Sequence, residues 1–218
     1  MTNLYLIRHG EGMFAVHGRL ADLRGEAGLS PHGVAQAERL RARLAATVEI
    51  APDVLIASSL PRAQATASIL APALGGLPVR LDDDLQEMRY GEADGMLWAE
   101  YEARFGVYDV YRERLRPLAP GGEHWVGFVA RVSAALARIA HDHTGQTIVL
   151  VCHGGVIEAA FLAFLGLDAA TGAWAGLFPQ NTSITHWVQR EAEPGRRWHL
   201  QRYNDYLHLR DDVHWGAG

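Results

Sequence analysis

"TIVLVCHGGVIEAAFLAFLG", residues 147–166, decides how this chain folds. Thr147 to Cys152 form an uncharged run rich in β-branched residues, the pattern of a strand buried on both faces. His153 follows at once, then two glycines, then an apolar-rich stretch of helical length. Strand, polar turn and helix in that order make one unit of a parallel α/β sheet. In such sheets ligands bind beyond the carboxyl ends of the strands, which is where His153 and Gly154 fall.

Working outward, the same arrangement recurs. "LYLIR" (4–8) reads as a first strand ending at Arg8 and His9, with Gly10 easing the turn. "SPHGVAQAERLRARLAA" (30–46) reads as a helix with Ser30 as N-cap, Pro31 at the first position, and Val34, Ala37, Leu40 and Leu44 on its inner face. "VLIAS" (54–58) is a strand ending at Ser58, followed by a helix over residues 61–74 that opens with Arg62. "PVRL" (78–81) is a short strand, residues 123–140 an amphipathic helix, and further strands lie near 183–189 and 197–203. The expected fold is α/β: a three-layer sandwich with a mostly parallel central sheet flanked by helices. Residues 85–125 break the alternation with seven aromatics and no clear strand, so they read as a small helical cap insertion within a single domain of residues 1–218. "DDVHWGAG" (211–218) reads as a loose tail.

Composition narrows the function. The chain has 218 residues, 49% hydrophobic and 21% charged, with a formal charge of -5, enough to bury a core and poorly suited to a nucleic-acid surface. All twenty basic residues are arginine, which excludes lysine Schiff-base chemistry and a P-loop lysine. Cys152 is the single cysteine; it rules out an internal disulfide and reads as a small buried strand residue in a reducing, cytoplasmic setting. Neither a secretory leader nor a membrane-length apolar run is evident. "HDH" (141–143) sits at a helix end and reads as charge complementing the helix dipole; the other histidines outside the strand ends show no metal-ligand spacing.

The three strand ends converge on one sheet edge in this arrangement. They bring together Arg8, His9, Arg62 and His153, with Glu87 arriving from the loop after the third strand. Two guanidiniums offer forked donors for phosphate oxygens, one imidazole can attack phosphorus, and a carboxyl can protonate the departing oxygen. These groups should surround one oxyanion-sized pocket, within roughly 8 Å of one another.

These residues resemble the histidine phosphatase superfamily, the phosphoglycerate-mutase-like fold. "LIRHGE" matches its signature, "SSLPRAQATA" resembles its second motif, and "VLVCHGGVI" matches its second-histidine motif. "LQEMRYGEADG" resembles the loop carrying the proton donor, "PGGEHWVGFVARV" the turn before a long helix, and "LSPHGVAQA" and "NTSIT" the first helix and a late strand. The resemblance implies that His9 is the nucleophile and that Arg8, Arg62 and His153 grip the phosphoryl oxygens. It makes Glu87 the acid, then the base for water, with Ser58 and Gly154 in support, and it implies no metal or organic cofactor. After "RHGE", however, Gly12, Phe14 and Ala15 replace the family's usual polar pair and tryptophan, and His124 stands where Ser is usual.

Residues 85–125 carry eight acids against five arginines, a poor match to the second strong anion a phosphoglycerate mutase must bind. The expected function is therefore phosphomonoester hydrolysis on a small phosphorylated metabolite through a phosphohistidine, with flat or apolar substrate parts meeting the aromatics. A cofactor-dependent mutase and a catalytically silent phospho-ligand-binding member are the alternatives. The exposed aromatics leave a homodimer open; neither nucleic acid nor membrane is expected as a partner.

Overall fold

The computed structural model describes the chain except residues 22, 25, 172–175, 193–194 and 213–218, together with the side chains of 192, 211 and 212. The tail reading for 211–218 therefore falls largely outside the described residues.

In chain order the elements are β1 (Thr2–Arg8), α1 (Met13–Val16), α2 (Pro31–Thr47), β2 (Val54–Ser58), α3 (Pro61–Leu70), β3 (Val79–Asp82), α4 (Trp98–Phe105), α5 (Trp125–Asp142), β4 (Thr147–Cys152), α6 (Gly154–Leu165), β5 (Ile184–Ala192) and β6 (Gly195–Asp205). The sheet order is β3-β2-β4-β1-β5-β6. The first four strands pair in parallel, and β5 and β6 add an antiparallel edge.

Alternation along the strands builds two cores. Leu4, Leu6, Ile148, Leu150 and Cys152 face α5 and α6 on one side. Tyr5, Ile7, Leu55, Val149 and Val151 face α2 and α3 on the other. The result is three layers, with helices covering both faces of the buried strands. Among the described residues, no helix is long and apolar enough to cross a membrane.

Neighbouring strands β1 and β4 send their chains to opposite faces, β1 toward α2 and β4 into α6. Their carboxyl ends thus form a topological switch point, a crevice open to ligands. Register fixes the approach: Arg8 pairs with Cys152, so His9 and His153 leave the sheet side by side.

Two expectations shift at the helices. Val34 is 41% exposed, and Gly33 and Gln36 share the buried face of α2 instead. A side chain at Gly33 would run into the backbone of Glu11, so the glycine lets the helix start press against the loop after β1. Ser30 caps α2 as expected, its hydroxyl accepting from the Gly33 N–H at 2.9 Å. The helix over 61–74 is α-helical only to Leu70; Pro72 cannot donate within it, and Ala71–Leu74 tighten to a 3-10 turn.

Between β3 and α5 the chain is mostly loop around α4, with a small core of Leu20, Ala93, Tyr101, Leu118 and Ala119. Tyr101 is wholly buried and donates its hydroxyl to the Leu118 carbonyl at 2.9 Å.

Candidate active site

His9 follows the last residue of β1 and is 7% exposed. Its Nδ1 lies 2.6 Å from the Gly10 carbonyl, which can only accept, so Nδ1 carries the proton and Nε2 keeps its lone pair. Arg62 Nε donates to that Nε2 at 3.2 Å. Burial, with the charges of Arg62 and Arg8 beside it, holds the His9 pKa well below the usual histidine value, and the imidazole is neutral. A neutral ring with a bare nitrogen is the form a nucleophile needs.

His153 is wholly buried, its ring centroid 4.9 Å from that of His9. Burial, then Arg62, His9, Arg8 and Arg131, press its pKa far down as well. Its Nε2 sits 2.7 Å from the Ser58 hydroxyl, which also accepts from the Leu60 N–H at 3.3 Å. Ser58 therefore orients His153 from behind. Among the described residues, the buried Arg8 Nε and His153 Nδ1 have no hydrogen-bond partner. Leaving such groups unpaired costs about 1–3 kcal/mol each, which a bound oxyanion would recover.

Glu87 arrives from the loop after β3 at the start of α6. Its Oε2 accepts from the Gly155 N–H at 3.0 Å, and its Oε1 from Met88 N–H at 3.1 Å. A side chain at Gly155 would occupy the carboxylate's place, so that glycine admits the acid. Gly154 is less constrained: a Cβ there would rest 3.7 Å from Arg8 Nε, ordinary contact. The Glu87 loop is itself tied down. Arg131 donates to the carbonyls of Asp84 and Gln86 at 2.9 and 3.1 Å, and holds Glu123 with two bonds at 2.8 and 2.6 Å. Glu123 in turn accepts from the Arg89 N–H at 3.0 Å. Burial pushes the Glu123 carboxyl up, but Arg131 and the Arg89 amide outweigh it and hold the pKa below the usual carboxylate range.

Arg8, His9, Arg62 and Glu87 line one cleft of about 140 Å³, together with Glu11 and Asn181. His153 is not among the lining residues; its ring lies beside that of His9. Of the seven aromatics in residues 85–125, Tyr90 alone lines the cleft among the described residues; Phe14 supplies a second ring. That corrects the expectation of a broadly aromatic wall, because Tyr101, Phe105 and Tyr108 pack on the small core instead. A larger hollow of about 980 Å³, bordered by Asp109, residues 111–116, Ala170, Thr171 and Gly176, includes none of these groups.

The departures at Gly12 and Phe14 belong together. The Phe14 ring lies under Arg62, 5.0 Å from the guanidinium carbon, and a Cβ at Gly12 would come within 2.8 Å of that ring. His124 caps α5, its Nδ1 accepting from the Gly127 N–H at 3.0 Å.

The match to family models now has its geometry. Residues 4–206 match the model of the histidine phosphatase superfamily, branch 1. The chain belongs to that superfamily. This histidine phosphatase is 31% identical over 228 residues to a glucosyl-3-phosphoglycerate phosphatase of Mycobacterium tuberculosis, covering 96% of this chain and 97% of the relative. It is 28% identical over 212 residues to a metal-independent phosphoserine phosphatase of Arabidopsis thaliana, covering 96% and 84%. The structure of a mycobacterial glucosyl-3-phosphoglycerate phosphatase complexed with VO3 superposes with a TM-score of 0.76 at 29% identity, over 93% of this chain and 98% of that one.

Several contacts around the histidine phosphatase site were not given by the sequence motifs. Asn181 Nδ2 donates to the His9 carbonyl at 2.8 Å, and Arg8 Nη1 donates to the Pro179 carbonyl at 2.6 Å. Glu158, on α6, has its carboxyl pushed up to about 7 by burial, with Glu87 adding to the effect; Tyr111 donates to it at 3.3 Å. Glu26 pairs with Arg62 and is taken up below.

Proposed function

We propose that this histidine phosphatase hydrolyses phosphomonoesters of small metabolites in two steps. In the first, His9 Nε2 forms a bond to phosphorus while the bond to the leaving oxygen breaks, and the Glu87 carboxyl gives its proton to that oxygen. In the second, Glu87, now a carboxylate, takes a proton from water as the water oxygen bonds to phosphorus and the Nε2–P bond breaks. Arg8, Arg62 and His153 hold the phosphoryl oxygens throughout, Ser58 and Gly154 support them, and these side chains fill every role without a metal ion.

The observation that carries this reading is the state of His9: Nδ1 held 2.6 Å from the Gly10 carbonyl, with Nε2 turned to Arg62 in the cleft. The relatives' names put phosphoserine and glucosyl-3-phosphoglycerate first among substrates to try. The reading further takes residues 85–125 as a cap over the site of one domain, and the enzyme as cytoplasmic, in keeping with one buried cysteine. The excess of acids over arginines in residues 85–125 favours hydrolysis over mutase activity.

The test is phosphate release across sugar phosphates, nucleotides, glycerate phosphates and phosphoserine, with a denaturing alkaline quench to trap labelled, acid-labile phosphohistidine. Release of phosphate with a labile label on His9 is expected. Fast isomerisation of 3-phosphoglycerate in the presence of its bisphosphate, with little free phosphate, would replace this reading by the mutase.

A further inference from the structure

Glu26 lies in the connection between α1 and α2, away from every motif of the sequence, yet its side chain is 1% exposed. Its Oε2 pairs with Arg62 Nη1, and its Oε1 accepts from the Gly28 N–H at 2.9 Å. Arg62 is 3% exposed in the same pair. Burying two opposite charges costs several kcal/mol of hydration per ion, so such a pair is weak evidence of added stability. The other contacts of Arg62 point to orientation. Its Nε meets His9 Nε2 at 3.2 Å, and its guanidinium lies on the Phe14 ring. With Nη1 paired to Glu26 and Nε bonded to His9 Nε2, the guanidinium is held at two of its nitrogens.

Described residues on either side of Glu26 are tied by backbone hydrogen bonds. Met13 N–H donates to the Gly28 carbonyl at 2.9 Å. Leu20 N–H and the Gly95 N–H tie Leu20 to residues 95–96, each at 2.8 Å. An arginine side chain has many rotamers, and freezing the one that serves the transition state is work a second residue can do.

We infer that Glu26 is a positioning residue of the phosphatase site, its buried carboxylate fixing the Arg62 guanidinium in the orientation that receives the transferring phosphoryl group. This rests on the hydrolase reading above. A rival account makes Glu26 a counter-anion that competes with phosphate for Arg62, and the two differ in sign.

The experiment uses the full chain as wild type, Glu26→Gln, Glu26→Ala and Glu26→Asp, with p-nitrophenyl phosphate turnover, calorimetric titration of orthovanadate and of inorganic phosphate, and melting temperature. In Glu26→Ala we expect kcat and orthovanadate affinity to fall on the order of tenfold or more while KM moves less. Glu26→Gln, which keeps an acceptor, should recover part of both. In an Arg62→Ala background, adding Glu26→Gln should cost nothing further in kcat, since the residue acts through Arg62. Tighter binding of phosphate and orthovanadate by Glu26→Gln overturns the inference in favour of the counter-anion. Parallel losses in kcat, affinity and melting temperature, repeated in the Arg62→Ala background, overturn it in favour of a structural pair. Should Glu26→Gln fail to fold, Glu26→Asp decides: the shorter acid should lower kcat, and unchanged kcat overturns the inference. If wild type binds orthovanadate without turning over any phosphoester, the hydrolase reading fails, and the affinity arm still judges Glu26.

Discussion

Arg43 on α2 and Arg62 at the start of α3 are both packed against carboxylates, and they are held in opposite ways. Arg43 meets Glu49 and Asp205 through four bonds of 2.7 to 3.1 Å, and Arg202 joins the same acids. The side chains of Arg43, Glu49 and Asp205 are 15%, 18% and 13% exposed. Arg62 is buried deeper, spends its Nε on an imidazole and one Nη on Glu26, and has Arg8 Nε and His153 Nδ1 unpaired nearby. The first group is closed: each of its charges has its partner. The second is open, with donors buried ahead of the anion they are shaped to meet. A satisfied ion network holds a fold together, whereas an unsatisfied one marks a site.

The sharpest way to break the contrast is to remove the nucleophile. His9→Ala should lower p-nitrophenyl phosphate turnover by about 10³-fold or more while leaving the melting temperature near wild type; a variant that keeps a tenth of the activity would remove His9 from the mechanism. Next is the acid: Glu87→Gln should cut kcat/KM, which reports the step that expels the leaving group, by about 10²-fold or more for alkyl phosphates and much less for p-nitrophenyl phosphate, whose leaving group needs no proton. Equal losses of kcat/KM on both substrates would deny Glu87 its role as the acid.

A third pair of variants compares the two arginines directly. Arg62→Ala strands the Glu26 carboxylate in a buried site and should cost about 3 kcal/mol of unfolding free energy along with activity. Arg43→Met should cost about 1 kcal/mol, since solvent can reach its acids, and should leave kcat unchanged. A loss of turnover in Arg43→Met would erase the distinction between closed and open networks.

The smallest effect lies in pH. His186, stacked on Tyr5 beside Arg202, has its pKa lowered to about 4 by burial and then by Arg202. A folded pKa below the unfolded one means the unfolded chain binds the extra proton, so stability falls as pH drops from about 6.5 toward 4. His208, near Arg43, is lowered to about 4 by burial, and titrates in the same direction. His186→Gln should flatten that acid loss by at most about 1 kcal/mol after solvent screening, with activity untouched. An unchanged slope would show that His186 titrates like a free histidine.

The sequence made the strand-borne half of the site legible. Arg8, His9, Ser58, Arg62 and His153 each lie within a few residues of a strand end, where a short buried run announces the position and the parallel fold supplies the direction. Glu87 was readable only from its loop motif. Its partner Gly155 was not, because the contact depends on how residues 84–89 are hung from Arg131 and Glu123. Glu26 was invisible for the same reason, and Asn181 was legible only as the first residue of "NTSIT", without its contact to His9: no periodicity marks a loop residue whose role is set by long-range closure. Val34 was misplaced because helical spacing cannot tell which of two adjacent stripes a glycine will press against the neighbouring backbone.

The pairing of β1 with β4 has one more consequence. Arg8 stands opposite Cys152, so the two imidazoles follow neighbouring strands, and their 4.9 Å separation repeats the spacing of about 4.8 Å between hydrogen-bonded strands. The sheet serves as a ruler for the two imidazoles. Loops at residues 10–29 and 83–124 can lengthen, shrink or change their chemistry without stretching that ruler, which leaves substrate choice free to drift while the distance between the two rings stays fixed.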